Sequence, residues 1–261
     1  MMLKDKVAVV YGAGGAIGGA VARAFALEGA EVHLVGRQPG PAEVLAKEID
    51  SGGGSAEAAT VDALDEQALD DHLRSVLDRA GHIDISFNAV GVANTAILGV
   101  PLTELDVERF SLPIATYTTS YFLTARLAAR HMIPNGSGTI MTVSALPARS
   151  GTRLNGGYGA AMAAKEALTR DLSAELAPLG IRVVGLRPHA IPETATMKEV
   201  FDAKVSGMTW ARFQEHLAST THPRRVMALD EVARVAAFMA SDRASGMTGT
   251  TVNLTMGSLD D

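Results

Sequence analysis

Short apolar runs rich in β-branched residues alternate along this chain with longer segments whose apolar positions recur at helical spacing. The runs at 7–10, 31–35, 58–61, 83–87, 138–143, 182–186 and 250–254 read as seven strands. Between the first two, Ile17, Val21, Ala24 and Phe25 fall at i, i+4, i+7 and i+8, on one face of a helix. Strands that are apolar almost throughout are buried on both faces, which means a parallel sheet with helices above and below. Right-handed crossovers between such strands give a doubly wound α/β sheet. A long irregular stretch, 189–223, interrupts the alternation before the last helix and strand. An insertion of that length more often serves as a lid or binding loop than as disorder. With no linker and no repeat, 1–261 is expected to be a single Rossmann-type domain.

Composition narrows the function. The net charge of −6, with no Lys/Arg cluster, argues against a nucleic-acid footprint. Cysteine is absent, so disulfides, thiol catalysis and thiolate metal sites are excluded. No His/Asp/Glu cluster has metal-ligand spacing, so no metal is expected. No apolar run reaches membrane-spanning length, and Met1–Lys6 leads into a strand without a signal-peptide pattern, so the expected location is cytoplasmic.

The first strand ends at Val10-Tyr11 and is followed by Gly12-Ala-Gly14-Gly15-Ala16-Ile17-Gly18 and a helix. Glycine is needed there because backbone amides must approach a pyrophosphate seated on the helix N-terminus. Strand, loop and helix in that order make Gly12, Gly14, Gly15, Ile17 and Gly18 candidate cofactor residues. After the second strand comes Gly36-Arg37, with no carboxylate before Glu43. A carboxylate in this place usually holds a free ribose 2′-hydroxyl and an arginine a 2′-phosphate, so NADP(H) is favoured over NAD(H).

Here the chain resembles the short-chain dehydrogenase/reductase family over essentially its whole length. Gly12 and Gly18 match the outer glycines of the family's Thr-Gly-x3-Gly-x-Gly loop, while Ala16 and Tyr11 replace its middle glycine and its Thr. Asp62 and Ala63 resemble the family's adenine-contacting pair. Asn88-Ala89-Val90-Gly91 resembles its Asn-Asn-Ala-Gly element. Pro188 to Ile191 resembles the segment that contacts nicotinamide, with His189 for Gly, and Thr248-Gly249 also fits. The resemblance thus implies that Asp62, Ala63, Asn88, Ala89, Gly91, Pro188 and Ile191 face the cofactor.

The family's catalytic tetrad is Asn, Ser, Tyr and Lys, and only Tyr158 falls cleanly in place. Tyr117 stands where Asn is expected, Ala145 where Ser is expected with Ser144 just before it, and Met162 where Lys is expected. The first Lys after Tyr158 is Lys165. On a helix, offsets of four and seven both stay on one face, but the second adds roughly 4.5 Å along the axis at about 1.5 Å per residue. Tyr-x6-Lys is similar to the spacing of enoyl-acyl carrier protein reductases, a divergent branch of the family. There Tyr assists an enolate oxygen and Lys holds the nicotinamide ribose. Tyr158, Lys165 and Ser144 are accordingly the candidate catalytic residues. Two features depart from that branch: Ala148 stands where a second Tyr is usual, and the cofactor loop keeps the compact glycine pattern.

Met197, Val200, Phe201, Met208, Trp210 and Phe213 either line an apolar substrate pocket or form a lid's own core. His33 and His72 read as structural; His189 and His131 carry more weight. The expectation is an NADP(H)-dependent reductase acting on a small or medium apolar carbonyl or activated alkene, assembled as a homotetramer. The alternative is a catalytically silent dinucleotide-binding protein, a sensor or partner subunit.

Overall fold

The computed structural model describes residues 1–93 and 97–260. The elements run β1 (Val7–Tyr11), α1 (Ala16–Leu27), β2 (Glu31–Gly36), α2 (Pro41–Ser51), β3 (Ser55–Thr60), α3 (Glu66–Ala80), β4 (Ile85–Asn88) and α4 (Val107–Met132). There follow β5 (Gly138–Val143), α5 (Tyr158–Leu176), β6 (Ile181–Pro188), α6 (Ala195–Lys204), α7 (Trp210–Ser219), α8 (Leu229–Ala240) and β7 (Thr250–Leu254). The seven strands are parallel in the order β3-β2-β1-β4-β5-β6-β7. This is the doubly wound sheet expected from the alternation of apolar runs.

The register aligns the carboxyl ends of the central strands. Tyr11 pairs with both Val35 and Asn88, Asn88 with Thr142, and Val143 with Leu186. The loops leaving β1, β4, β5 and β6 therefore emerge on one edge. The chain first winds outward from β1 to β3 and then crosses back to β4, so those loops part between β1 and β4 and leave a crevice.

Each face of the sheet has its own core. Val10, Phe25, Leu34, Leu45 and Ala236 fill one side, where Phe25 and Phe87 meet edge-on at 6.2 Å. Leu69, Leu73, Tyr121, Leu127 and Ile140 fill the other, and Tyr11 is fully buried among them. Each large aliphatic or Phe side chain among them contributes roughly 1.5–3 kcal/mol by leaving water.

Capping chemistry sets where the long helices start. α4 begins at Val107 because the Asp106 side chain accepts from the Arg109 amide at 2.8 Å. α5 begins at Tyr158; Gly156, with φ +51°, cannot join the helix. The stretch 189–223 is not irregular throughout. It contains α6 and α7, each ten residues long, with Thr194 and Thr209 accepting from the amides of Met197 and Arg212 at their N-termini. Trp210, Phe213 and Leu217 do recur at i, i+3 and i+7 in α7, but a repeat confined to ten residues is too short to stand out from a loop. On α4 and α5, Leu123, Leu127 and Leu172 are buried within this chain, while Ala164 and Leu168 are half-buried. The apolar side chains that α4 exposes are Val107, Phe110, Leu112 and Phe122.

Candidate active site

A cleft of about 730 Å³ opens at the carboxyl edge of the sheet. It is floored by the loop after β1, where glycine is a steric requirement. Gly12 has φ +76°, and a Cβ on it would lie 2.5 Å from the carbonyl oxygen of Ala89. A Cβ on Gly18 would lie 2.3 Å from the carbonyl oxygen of Gly12. Gly15 is the N-cap of α1 and has no side chain to satisfy the first helical amides. The turn thus presents unfilled backbone donors and positive dipole to the cleft, which fits the pyrophosphate of a dinucleotide.

Gly12, Gly14, Gly15, Ile17 and Gly18 line this cleft together with Arg37, Asp62, Ala63, Ala89, Gly91, Pro188 and Ile191. Arg37 follows β2 on an exposed turn. Asp62 closes its own turn by accepting from the Leu64 amide at 3.0 Å. Asn88 does not line the cleft. It is buried at the end of β4, where its amide donates to Thr124 at 3.1 Å and its backbone oxygen accepts from Thr142 at 3.2 Å, so it holds the strand end that carries Ala89 and Gly91.

The catalytic candidates meet in the same cleft but not in the family's usual arrangement. Tyr158 opens α5, and its ring lies edge-on to Tyr117 at 5.7 Å. Tyr117 is pinned by the Val92 amide, which donates to its hydroxyl at 3.2 Å. Burial, and secondarily Tyr117, push the Tyr158 phenol well above its ordinary value. Met162 is buried and packs with Tyr117 and Ala161, filling the place of the expected ammonium with a thioether.

Lys165 lies two turns below Tyr158 and is 1% exposed. Its Nζ donates to the carbonyl oxygen of Val143 at 2.8 Å and lies 5.6 and 5.8 Å from the ring centres of Tyr117 and Tyr121. Burial lowers its pKa to about 7. The two aromatic faces and one carbonyl favour the ammonium but do not replace its lost hydration.

Ser144 also borders the cleft, yet its hydroxyl is committed elsewhere. It donates to Oε1 of Glu166 at 2.8 Å. Glu166 is held by Arg187 through Nε at 2.7 Å and Nη2 at 3.0 Å, and both residues are buried. Adjacent positions of an extended strand end alternate in direction, so the side chain of Ser144 points away from the face that Ala145 shares with Tyr158 and Met162.

The buried Glu166–Arg187 pair was not anticipated from the sequence, although an arginine in an apolar strand is itself a sign that a buried carboxylate is near. Lys204 was also missed: at the last turn of α6 it lines the cleft and donates to Oδ1 of Asn155 at 2.9 Å. Met197, Val200 and Phe213 line the same cavity, whereas Phe201 and Trp210 meet edge-on at 5.2 Å within the lid. His189 borders the cleft, bonded to Thr220 at 3.2 Å, and burial lowers its pKa. His131 faces Asp70 at 3.6 Å at the far end of α4. His33 and His72 form a ring pair at 6.4 Å in the scaffold.

Comparison with known proteins places this geometry. Residues 12–258 match the family described as Enoyl-(Acyl carrier protein) reductase. An uncharacterized oxidoreductase of Bacillus subtilis strain 168 is 33% identical over 247 residues, 95% of this chain and 88% of that protein. The crystal structure of an NAD+-bound xylitol dehydrogenase superposes with a TM-score of 0.91 at 25% identity, covering 98% of this chain and 100% of the other. A gluconate 5-dehydrogenase from Burkholderia cenocepacia J2315, in complex with NADP and tartrate, superposes with a TM-score of 0.87 at 26% identity over 98% and 96% of the two chains.

Proposed function

This chain belongs to the short-chain dehydrogenase/reductase family, and we propose that it is an NADP(H)-dependent reductase of a small or medium apolar carbonyl or activated alkene. One observation carries the reading: the glycine turn, Tyr158 and Lys165 line a single cleft at the switch point of the sheet. Gly12, Gly14, Gly15, Ile17 and Gly18 would hold the pyrophosphate, with Asp62, Ala63, Ala89 and Gly91 along the adenosine and ribose. Pro188 and Ile191 would border the nicotinamide, and Asn88 supports from behind. Arg37 would take the 2′-phosphate, since the described residues of the turn after β2 offer no carboxylate to a free 2′-hydroxyl.

When bound, the nicotinamide supplies the hydride. Tyr158 holds the substrate oxygen and gives it a proton. Its phenol is protonated at neutral pH, the state that reduction requires of an acid. Because burial raises its pKa, the proton is given up only when a neighbouring cation or hydrogen bond stabilises the phenolate. Tyr117 fixes the tilt of the Tyr158 ring. Lys165 is the ribose anchor in this reading, giving up the Val143 carbonyl for a sugar hydroxyl. That role suits the Tyr-x6-Lys spacing and an enoyl-reductase-like reaction. Ser144 becomes an oxygen ligand only by turning its hydroxyl away from Glu166, so the reading does not rest on it. A cytoplasmic homotetramer formed over the exposed side chains of α4 completes the proposal.

The test is a panel of ketones, cyclic enones and enoyl thioesters with NADPH, followed by loss of absorbance. Turnover on at least one class is expected. NADPH binding without turnover on any would favour the rival reading, which Met162 in place of the ammonium already suggests: a dinucleotide-binding protein without chemistry.

A further inference from the structure

The substrate half of the cleft is apolar but carries one built cation. Met197, Val200, Phe213 and Leu217 supply the apolar wall, and Lys204 stands among them with its Nζ 2.9 Å from Oδ1 of Asn155. Asp62 is the one carboxylate among the described residues that line the cleft, and it belongs to the adenosine half beside Arg37. Nothing acidic there neutralises Lys204. Its pKa falls to about 8 through burial alone, with no described carboxylate raising it.

The position of Lys204 is fixed by its surroundings. The carbonyl oxygen of Ala203 would lie 3.0 Å from a Cβ on Gly99, which has φ +90°, so the end of α6 packs closely on that turn. The Gly99 amide in turn donates to Leu154 at 3.0 Å, and the Tyr158 amide donates to the carbonyl oxygen of Asn155 at 3.1 Å. One short segment, 154–158, therefore joins the lid cation to the proposed proton donor. Oδ1 of Asn155 accepts from Lys204, and its amide N–H groups are further donors beside that cation.

We propose that Lys204 and Asn155 form a carboxylate-binding subsite, and that the substrate is an acid: a carbonyl or enoyl compound whose apolar chain ends in a carboxylate. This deepens the reductase reading and rests on it for the reacting group, but the subsite itself requires no chemistry. A half-buried ammonium without a carboxylate partner gains more from an anion than an exposed one does, because desolvation strengthens the attraction. A neutral ligand would leave that half-buried cation without an anionic partner, which is the penalty that separates acids from their amides.

The test uses binding, so that it is independent of turnover. Octanoate and octanamide are titrated calorimetrically into the NADP+-loaded protein. Octanoate is expected to bind at least tenfold more tightly. Lys204→Met should bring the two ligands within about threefold, while Lys204→Arg should restore most of the preference. Equal affinities in the wild type, absence of octanoate binding, or a preference unchanged in Lys204→Met would overturn the subsite. An octanoate preference in a protein that reduces nothing would leave the subsite standing and remove the reductase reading.

Discussion

The ammonium of Lys165 donates to the carbonyl oxygen of Val143 at 2.8 Å, at the end of the strand that leads to Ala145 and the Tyr158 pocket. The usual short-chain dehydrogenase/reductase ammonium sits one turn from its tyrosine; here Met162 fills that place and Lys165 lies one turn deeper, beneath Tyr117 and Tyr121.

That depth has a pH signature. Burial lowers Lys165 from its ordinary 10.5 to about 7. Between these values the unfolded chain keeps the proton and the folded chain releases it, so stability rises with pH from about 7 to 10.5. Below pH 7 the full penalty of a buried ammonium remains. Lys165→Met should therefore raise the cofactor-free stability at pH 7 by about 1–3 kcal/mol, a Tm several degrees higher, and flatten the rise toward pH 10. The same variant should bind NADPH more weakly. Thermal unfolding and cofactor titration across pH check both; a lower Tm with unchanged affinity would make Lys165 purely structural.

Arg37 sets the second expectation. NADPH should bind more tightly than NADH by roughly ten- to a hundredfold, the equivalent of about 1.5–3 kcal/mol for a charge-assisted phosphate contact. Arg37→Ala should erase most of that preference and leave NADH affinity nearly unchanged. Fluorescence titration of both cofactors decides it, and equal or better NADH binding by the wild type would refute the assignment.

The Glu166–Arg187 pair joins α5 to β6 behind the site. Glu166→Ala removes a buried carboxylate that Arg187 binds through two nitrogens and to which Ser144 donates. The expected loss is about 3–5 kcal/mol, read as a fall in the urea midpoint. Arg149 lies 3.6 Å from the same carboxylate but is largely exposed, so Arg149→Ala should cost less than about 1 kcal/mol. Comparable losses for the two variants would contradict this division.

The sheet was legible because parallel strands buried on both faces write near-continuous apolar runs, and the β1 turn was legible because only glycine fits against Ala89 and within its own loop. The helices of the lid were not: each is only ten residues long, so even the i, i+3, i+7 spacing of Trp210, Phe213 and Leu217 in α7 did not stand out as a helix. Helical geometry put Lys165 on the Tyr158 side, yet its bond to Val143 depends on where β5 ends against α5, a tertiary fact that spacing does not encode. Ser144 could be placed beside the expected serine position, but its commitment to Glu166 spans 22 residues. Lys204 and Asn155 are 49 residues apart and carry no local signal of their contact.

The account turns on Tyr158 as the proton donor, and single-turnover kinetics of Tyr158→Phe test that most directly. With saturating NADPH and the best substrate of the ketone, enone and enoyl thioester panel, Tyr158→Phe should oxidise NADPH about a hundredfold or more slowly than the wild type. Its NADPH dissociation constant should stay within about threefold, because proton donation matters in the transition state rather than in cofactor binding. Wild-type turnover in Tyr158→Phe would contradict the central claim.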